Sequence, residues 1–301
     1  MNKVIINKMD EYNYHNLVES VNKIIDNCNI NIKKEKVAMI ILKPNLCYYW
    51  SHNTGQTTSP YLVSAIIDVL RDKIGNDVDI SIAESDATAM QTKYAFKFLG
   101  FEEIAVKKNV GLINLSESEQ VSKDHFHLSK TLFDCDLLIN IPKLKTHPLT
   151  LVSCAIKNIF GMVSEPNKVK FHPKLNSIIA EAHKSLFQKP ELTITDGIIA
   201  AGSHPIKLGG LIAGRDPLAV DWINSKIMGI NPKRVKHLMA CKRNNLTDIS
   251  NIKVVGYDIN ELKAAFPSVN YTIVNAKRSI LLKALKLYTK ISGDIMLPYW
   301  E

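Results

Sequence analysis

Polar and charged residues recur at one position in this chain: directly after apolar runs. Lys43 and Asn45 follow one such run. Glu84, Ser85 and Asp86 follow a second, Lys143, Lys145 and His147 a third, Asp196 a fourth, and Arg215 and Asp216 a fifth. Lysine and arginine hold carboxylates and phosphates. A histidine moves a proton near neutral pH. A carboxylate can partner the histidine or bind a divalent cation. Lys157 adds a further amine, on a predicted helical face otherwise built of Thr150, Ser153 and Cys154. Each group also has a simpler reading. Asp216 precedes Pro217, the pattern of an N-cap followed by a first-turn proline. Asp86 could cap the next helix, Asp196 before Gly197 could be a turn residue, and Lys43 could be solvated.

What makes these residues a group is the elements that carry them. Short continuous apolar runs read as strands buried on both faces. They fall at 37–42, 77–83, 111–115, 137–141 and 192–195, with Lys207 to Ala213 as a further segment. Amphipathic helical patterns alternate with them. Strand-then-helix alternation predicts an α/β fold, a mainly parallel sheet with helices on both faces in Rossmann-like layers. Ligands of such sheets bind beyond the carboxyl ends of the strands. The central stretch, 136–163, is read as a strand, a loop over 142–148 carrying Lys143, Lys145 and His147, and a helix over 149–160. Residues 1–275 are taken as one α/β domain, and 276–301 as a basic helix and tail.

Composition narrows the classes. The 301 residues carry a formal charge of +9, nearly all from lysine, with arginine only at Arg71, Arg215, Arg234, Arg243 and Arg278. Arginine is the preferred fork for phosphate and base edges, and the lysines are spread along the chain, so nucleic acid is a disfavoured partner. No run reaches the roughly 18 apolar residues of a membrane span. Docking of the basic tail on a membrane surface is weighed against its packing on the body, and packing is favoured. The first residues lack the apolar stretch of a leader, and the five cysteines form no C-x-x-C pair. A cytoplasmic protein without a resident iron–sulfur cluster is expected. There is no Gly-rich nucleotide cradle and no nucleophile elbow.

KPNL at 43–46, TTSP at 57–60, ESD at 84–86, NIPKLKTHPLTLVSCAIKNIFG at 140–161, TDGI at 195–198 and LIAGRDPLAVDWINSKIMG at 211–229 resemble, in this order, the domain-of-unknown-function 362 family. The resemblance spans about 37–255. It implies an α/β domain and no settled reaction. Many family members carry an added ferredoxin-like module with cysteine clusters, which this chain lacks. A fainter likeness is to lactate-racemase-like proteins, in which a nickel-pincer cofactor is tethered to a lysine; Lys145, His147 and Lys157 are the nearest matches.

The expected function is a cytosolic enzyme for a small anionic metabolite, using acid–base or cofactor-assisted chemistry. Lys145 and Lys157 would hold the anion and His147 would transfer a proton. Glu84, Asp86 or Asp196 would be its partner or ligands to a divalent metal. The alternative is a non-catalytic protein that binds or carries a cofactor or cluster. The cofactor, the substrate and the oligomeric state are left open.

Overall fold

Alternate residues of the apolar strands enter two different cores. Ile40 and Leu42 pack on one side of the sheet with Leu17, Ile24, Leu62 and Ile66, whereas Ile41 packs on the other with Ile156, Ile179 and Ile223. A strand buried on both faces needs a helix layer over each. The computed structural model describes residues 2–265, apart from 10–12, 31–36, 187, 188 and 190. The predicted basic helix at 276–301 lies outside the described residues.

The first half of the chain contains β1 (Asn2–Lys8), α1 (Tyr14–Cys28), β2 (Met39–Pro44), α2 (Pro60–Ile74), β3 (Asp79–Glu84), α3 (Thr92–Phe98), α4 (Phe101–Lys108), β4 (Gly111–Asn114), β5 (Gln120–Ser122), β6 (His127–Ser129) and α5 (Thr131–Asp134). The second contains β7 (Leu137–Ile141), β8 (Lys143–His147), β9 (Leu151–Ser153), α6 (Ala155–Phe160), α7 (Leu175–Ser185), β10 (Leu192–Ala201), β11 (Pro205–Gly214), α8 (Pro217–Ile227), α9 (Lys236–Arg243), β12 (Ile252–Gly256) and α10 (Ile259–Ala265).

The main sheet runs β12-β1-β11-β10-β7-β2-β3-β4, with β8 paired to β10 and β9 paired to β8. The contiguous strands β10, β7, β2, β3 and β4 are parallel. Helices α1 to α4 cover one face and α6 to α9 the other. This is an α/β fold with a mostly parallel, mixed sheet.

Two expectations are corrected. First, 142–148 is not a loop and 149–160 is not one helix. The chain makes β8, turns through 148–150, and returns as β9, pairing Lys145 with Ser153 and His147 with Leu151. Leu151 takes a left-handed φ of 64° there, which no helix tolerates. The helix begins only at Ala155. Second, β11 runs antiparallel to β10, with Gly214 opposite Thr193 at the start of β10. Arg215 and Asp216 therefore lie at the opposite end of the sheet from the other four groups.

Candidate functional site

Two lysine–carboxylate pairs sit side by side at the carboxyl ends of the parallel strands. Lys43, at the end of β2, places its Nζ 2.6 Å from Glu84 Oε1 at the end of β3. Lys143, opening β8, places its Nζ 2.8 Å from Asp196 Oδ2 on β10. All four side chains are buried. Both carboxylates are held further by backbone: Glu84 accepts from Leu46 N and Ser85 N, and Asp196 from Ser59 N and Ile198 N. Burial lowers both lysines' pKa; Glu84 and Asp196 oppose that shift, and the charge of Lys145 adds to it. Removing an ion from water costs several kcal/mol, so such pairs are weak stabilisers. Both lie at the end of the sheet where α/β folds generally bind ligands.

Lys145 differs from them. It is buried, and its Nζ donates to the carbonyl of Gln56 at 2.7 Å, with no carboxylate in ion-pair range among the described residues. The motif K-L-K-T-H alternates, so Lys143, Lys145 and His147 share one strand face while Leu144 enters the core on the other. His147 is half-buried at the far end of β8, and its Nδ1 accepts from Leu149 N at 3.2 Å. Lys157 leaves α6 elsewhere: its charge is felt at His237 of α9, whose pKa is pushed down to about 3, chiefly by burial.

The segment between β2 and α2 closes over the pairs. Thr58 Oγ1 donates to Ile141 O and accepts from Asn45 N, tying the loop to β7. Gly55 has a φ of 73°, and a Cβ there would lie 2.3 Å from Ala200 O, so only glycine lets the loop rest on β10. This seats His52 near the Lys143–Asp196 pair. Burial, then the charge of Lys143, lowers its pKa, and Asp196 opposes them. His52 also packs edge-on against Tyr61, with ring centroids 5.5 Å apart. The buried atoms Asn45 Oδ1, Thr57 Oγ1 and Ser59 Oγ of the same segment have no hydrogen-bond partner among the described residues. Buried polar atoms are otherwise almost always paired.

A fourth lysine joins from the segment after α6. Lys168 donates to Ser85 Oγ at 2.8 Å, to Val163 O at 2.5 Å and to Gly161 O at 3.3 Å. Ser85 in turn donates to Gly161 O. Among the described residues no carboxylate is in ion-pair range of Lys168, and burial brings its pKa down to about 7. Neither His52 nor Lys168 stood out in the sequence, because each lies in a polar loop with no periodicity around it. The glycine three residues after His52 was the one local signal.

The remaining predicted residues have structural partners. Asn45 donates to Asn158 Oδ1, and Asn158 to the carbonyl of Lys43. Asp86 Oδ1 accepts from Thr92 N and from Asn114, fixing the start of α3. Asp216 caps α8 through Leu218 N and Ala219 N and accepts from Asn2. Arg215 is exposed at that same remote end. Glu84, Asp86 and Asp196, weighed as ligands to a divalent cation or as partners of the histidine, are each engaged by lysine or backbone. Among the described residues no three His, Cys, Asp or Glu gather closely enough to hold a metal ion.

Among the described residues, six non-glycine residues take left-handed φ. Three are asparagines; the others are Tyr48, Ala89 and Leu151, in the segments after β2, β3 and β8. Apart from the asparagines, which tolerate this region, the strain lies at the ligand end of the sheet.

Fold and site define an α/β protein with a lysine-rich centre at the carboxyl ends of its parallel strands. The family described as Domain of unknown function (DUF362) is matched over residues 40–226, well over half of the chain, and the protein belongs to that family. Every residue of the centre falls within the matched span. The chain is 27% identical over 219 residues to the Thylakoid-associated protein sll1697 of Synechocystis sp., a match covering 68% of this chain and 67% of that protein. The lactate racemase apoprotein from Thermoanaerobacterium thermosaccharolyticum superposes with a TM-score of 0.35 at 13% identity, over 79% of this chain and 56% of the other. The chain thus spans little more than half of that structure's length. A likeness at this level gives no ground for tethering a nickel-pincer cofactor to Lys145 or Lys157. No helix among the described residues is long and apolar enough to cross a membrane.

Proposed function

We propose that this protein is an enzyme that binds a small carboxylate or phosphate at the carboxyl ends of β2, β3 and β7, against β8 and β10, and moves a proton on it. The observation that carries the reading is an excess of cations. Lys43 and Lys143 each have a buried carboxylate, whereas among the described residues Lys145 and Lys168 donate to carbonyls and a hydroxyl. An anion bound between them would offset the charge of Lys145 at Lys43 and that of Lys43 at Lys168. His52 is the proton carrier in this scheme. Its lowered pKa keeps the imidazole neutral near pH 7, as a general base must be. His147 keeps its place as a second candidate on the strand face of Lys145. The compartment proposed is the cytoplasm. Work at a membrane surface there also accommodates a relative described as thylakoid-associated.

Isothermal titration with a panel of small carboxylates and phosphates tests the binding step. Deuterium exchange from solvent into the bound ligand tests the chemistry. Binding that weakens in Lys145→Ala, with exchange lost in His52→Ala, is the expected result. Binding without exchange would move the protein to the carrier class. Binding unaltered by Lys145→Ala would remove this site from the account.

A further inference from the structure

Helix α3 presents an outer face with an unusual composition. Its buried positions are Thr92, Ala95 and Phe96, and its exposed positions are Lys93, Tyr94, Lys97 and Phe98. Phe98 is 64% exposed and Tyr94 43%. The two rings stack with centroids 6.1 Å apart, and Lys93 Nζ lies 4.9 Å from the centroid of Tyr94. Tyr49, from the segment that covers the lysine centre, packs edge-on against Phe98 at 5.7 Å, and its hydroxyl accepts from Gln91 N. The patch therefore adjoins the segment that covers the lysine centre and needs nothing from that site's chemistry.

From this face we infer that the protein docks on an anionic lipid surface through α3, with Tyr94 and Phe98 entering the headgroup layer and Lys93 and Lys97 facing the lipid charge. Two features choose a membrane over a protein partner. Lysine is depleted from protein–protein interfaces, yet here two lysines alternate with the rings. An aromatic ring beside a lysine is the pairing that interfacial membrane helices use, the ring at headgroup depth and the ammonium above it. Charge complementarity agrees: α3 has no acidic residue, and the chain carries +9. The acidic pair Glu102 and Glu103 lies on the next helix, beyond Gly100.

Co-sedimentation of the full-length chain tests the inference, using vesicles of phosphatidylcholine alone and of an equal mixture of phosphatidylcholine and phosphatidylglycerol. The wild-type chain should partition onto the mixed vesicles, weakly or not at all onto the neutral ones, and should come off as salt is raised. Lys93→Glu/Lys97→Glu should lower partitioning by about thirtyfold or more. Tyr94→Ser/Phe98→Ser should lower it by at least about tenfold at unchanged charge. Circular dichroism checks that both variants remain folded; if either does not, the corresponding single substitutions replace it. Equal partitioning onto neutral vesicles, no partitioning, or full partitioning of either folded variant set would overturn the assignment of this face.

Discussion

Lys143 and Asp196 meet across β8 and β10 at 2.8 Å with neither side chain exposed to solvent. Removing the lysine alone takes the cation away from a buried carboxylate that also accepts from Ser59 N and Ile198 N. Lys143→Met is expected to cost about 3–5 kcal/mol in urea denaturation, and Lys143→Met/Asp196→Leu to recover most of that loss. A single substitution as harmless as the double would mean that water reaches Asp196.

Lys145 should separate binding from stability. Its ammonium meets one carbonyl, so Lys145→Ala should change the folding free energy by less than about 1 kcal/mol. Affinity for the anion should fall about tenfold to a hundredfold, read by calorimetry.

Lys168 sets the pH dependence. Its folded pKa of about 7 lies below the ordinary 10.5. Between those values the unfolded chain binds a proton that the folded one does not, so stability rises with pH across this window, by at most about 1.4 kcal/mol per pH unit. That contribution is lost as pH falls to about 7. Anion affinity should run the other way, weakening as Lys168 loses its charge above pH 7. Lys168→Met should flatten both curves. Urea titrations and calorimetry across this window provide the check.

Gly55→Ala tests the covering loop. The substitution imposes a side chain at a left-handed φ and 2.3 Å from Ala200 O, so the segment must lift from β10. We expect about 1–3 kcal/mol of destabilisation and a loss of anion binding larger than that of an exposed-site control such as Asn53→Ala.

Asp221 tests how α6 is held. Its two oxygens accept from Ala155 N and Ile156 N at 2.8 Å each, satisfying amides that the first turn of a helix leaves open. Asp221→Ala should cost about 1–3 kcal/mol by thermal or urea unfolding, because those amides are buried.

The sequence disclosed the strands readily, since continuous runs such as Leu137–Ile141 have few other homes in a protein of this size. It also disclosed that Lys43, Glu84, Lys143 and Asp196 follow apolar runs and gather at one end of the sheet. It did not disclose the direction of β11, because strand polarity is set by the length and path of a connection and not by the residues within the strand. The three residues between β10 and β11 are a hairpin connection, and counting them would have moved Arg215 and Asp216 to the other end. The alternation in K-L-K-T-H is legible as strand, and β8 is what the chain forms there. His52 and Lys168 were not legible, because their neighbours are chosen by contacts across the fold.

The reversal at β11 also has a practical side. It leaves Asn2, bonded to Asp216, at one end of the sheet and the lysine centre at the other. An affinity handle or surface tether attached ahead of Asn2 would anchor the molecule by its ligand-free pole. Immobilised in that way, for surface plasmon resonance or single-molecule imaging, the protein would present both the lysine centre and the aromatic face of α3 to the flowing solution.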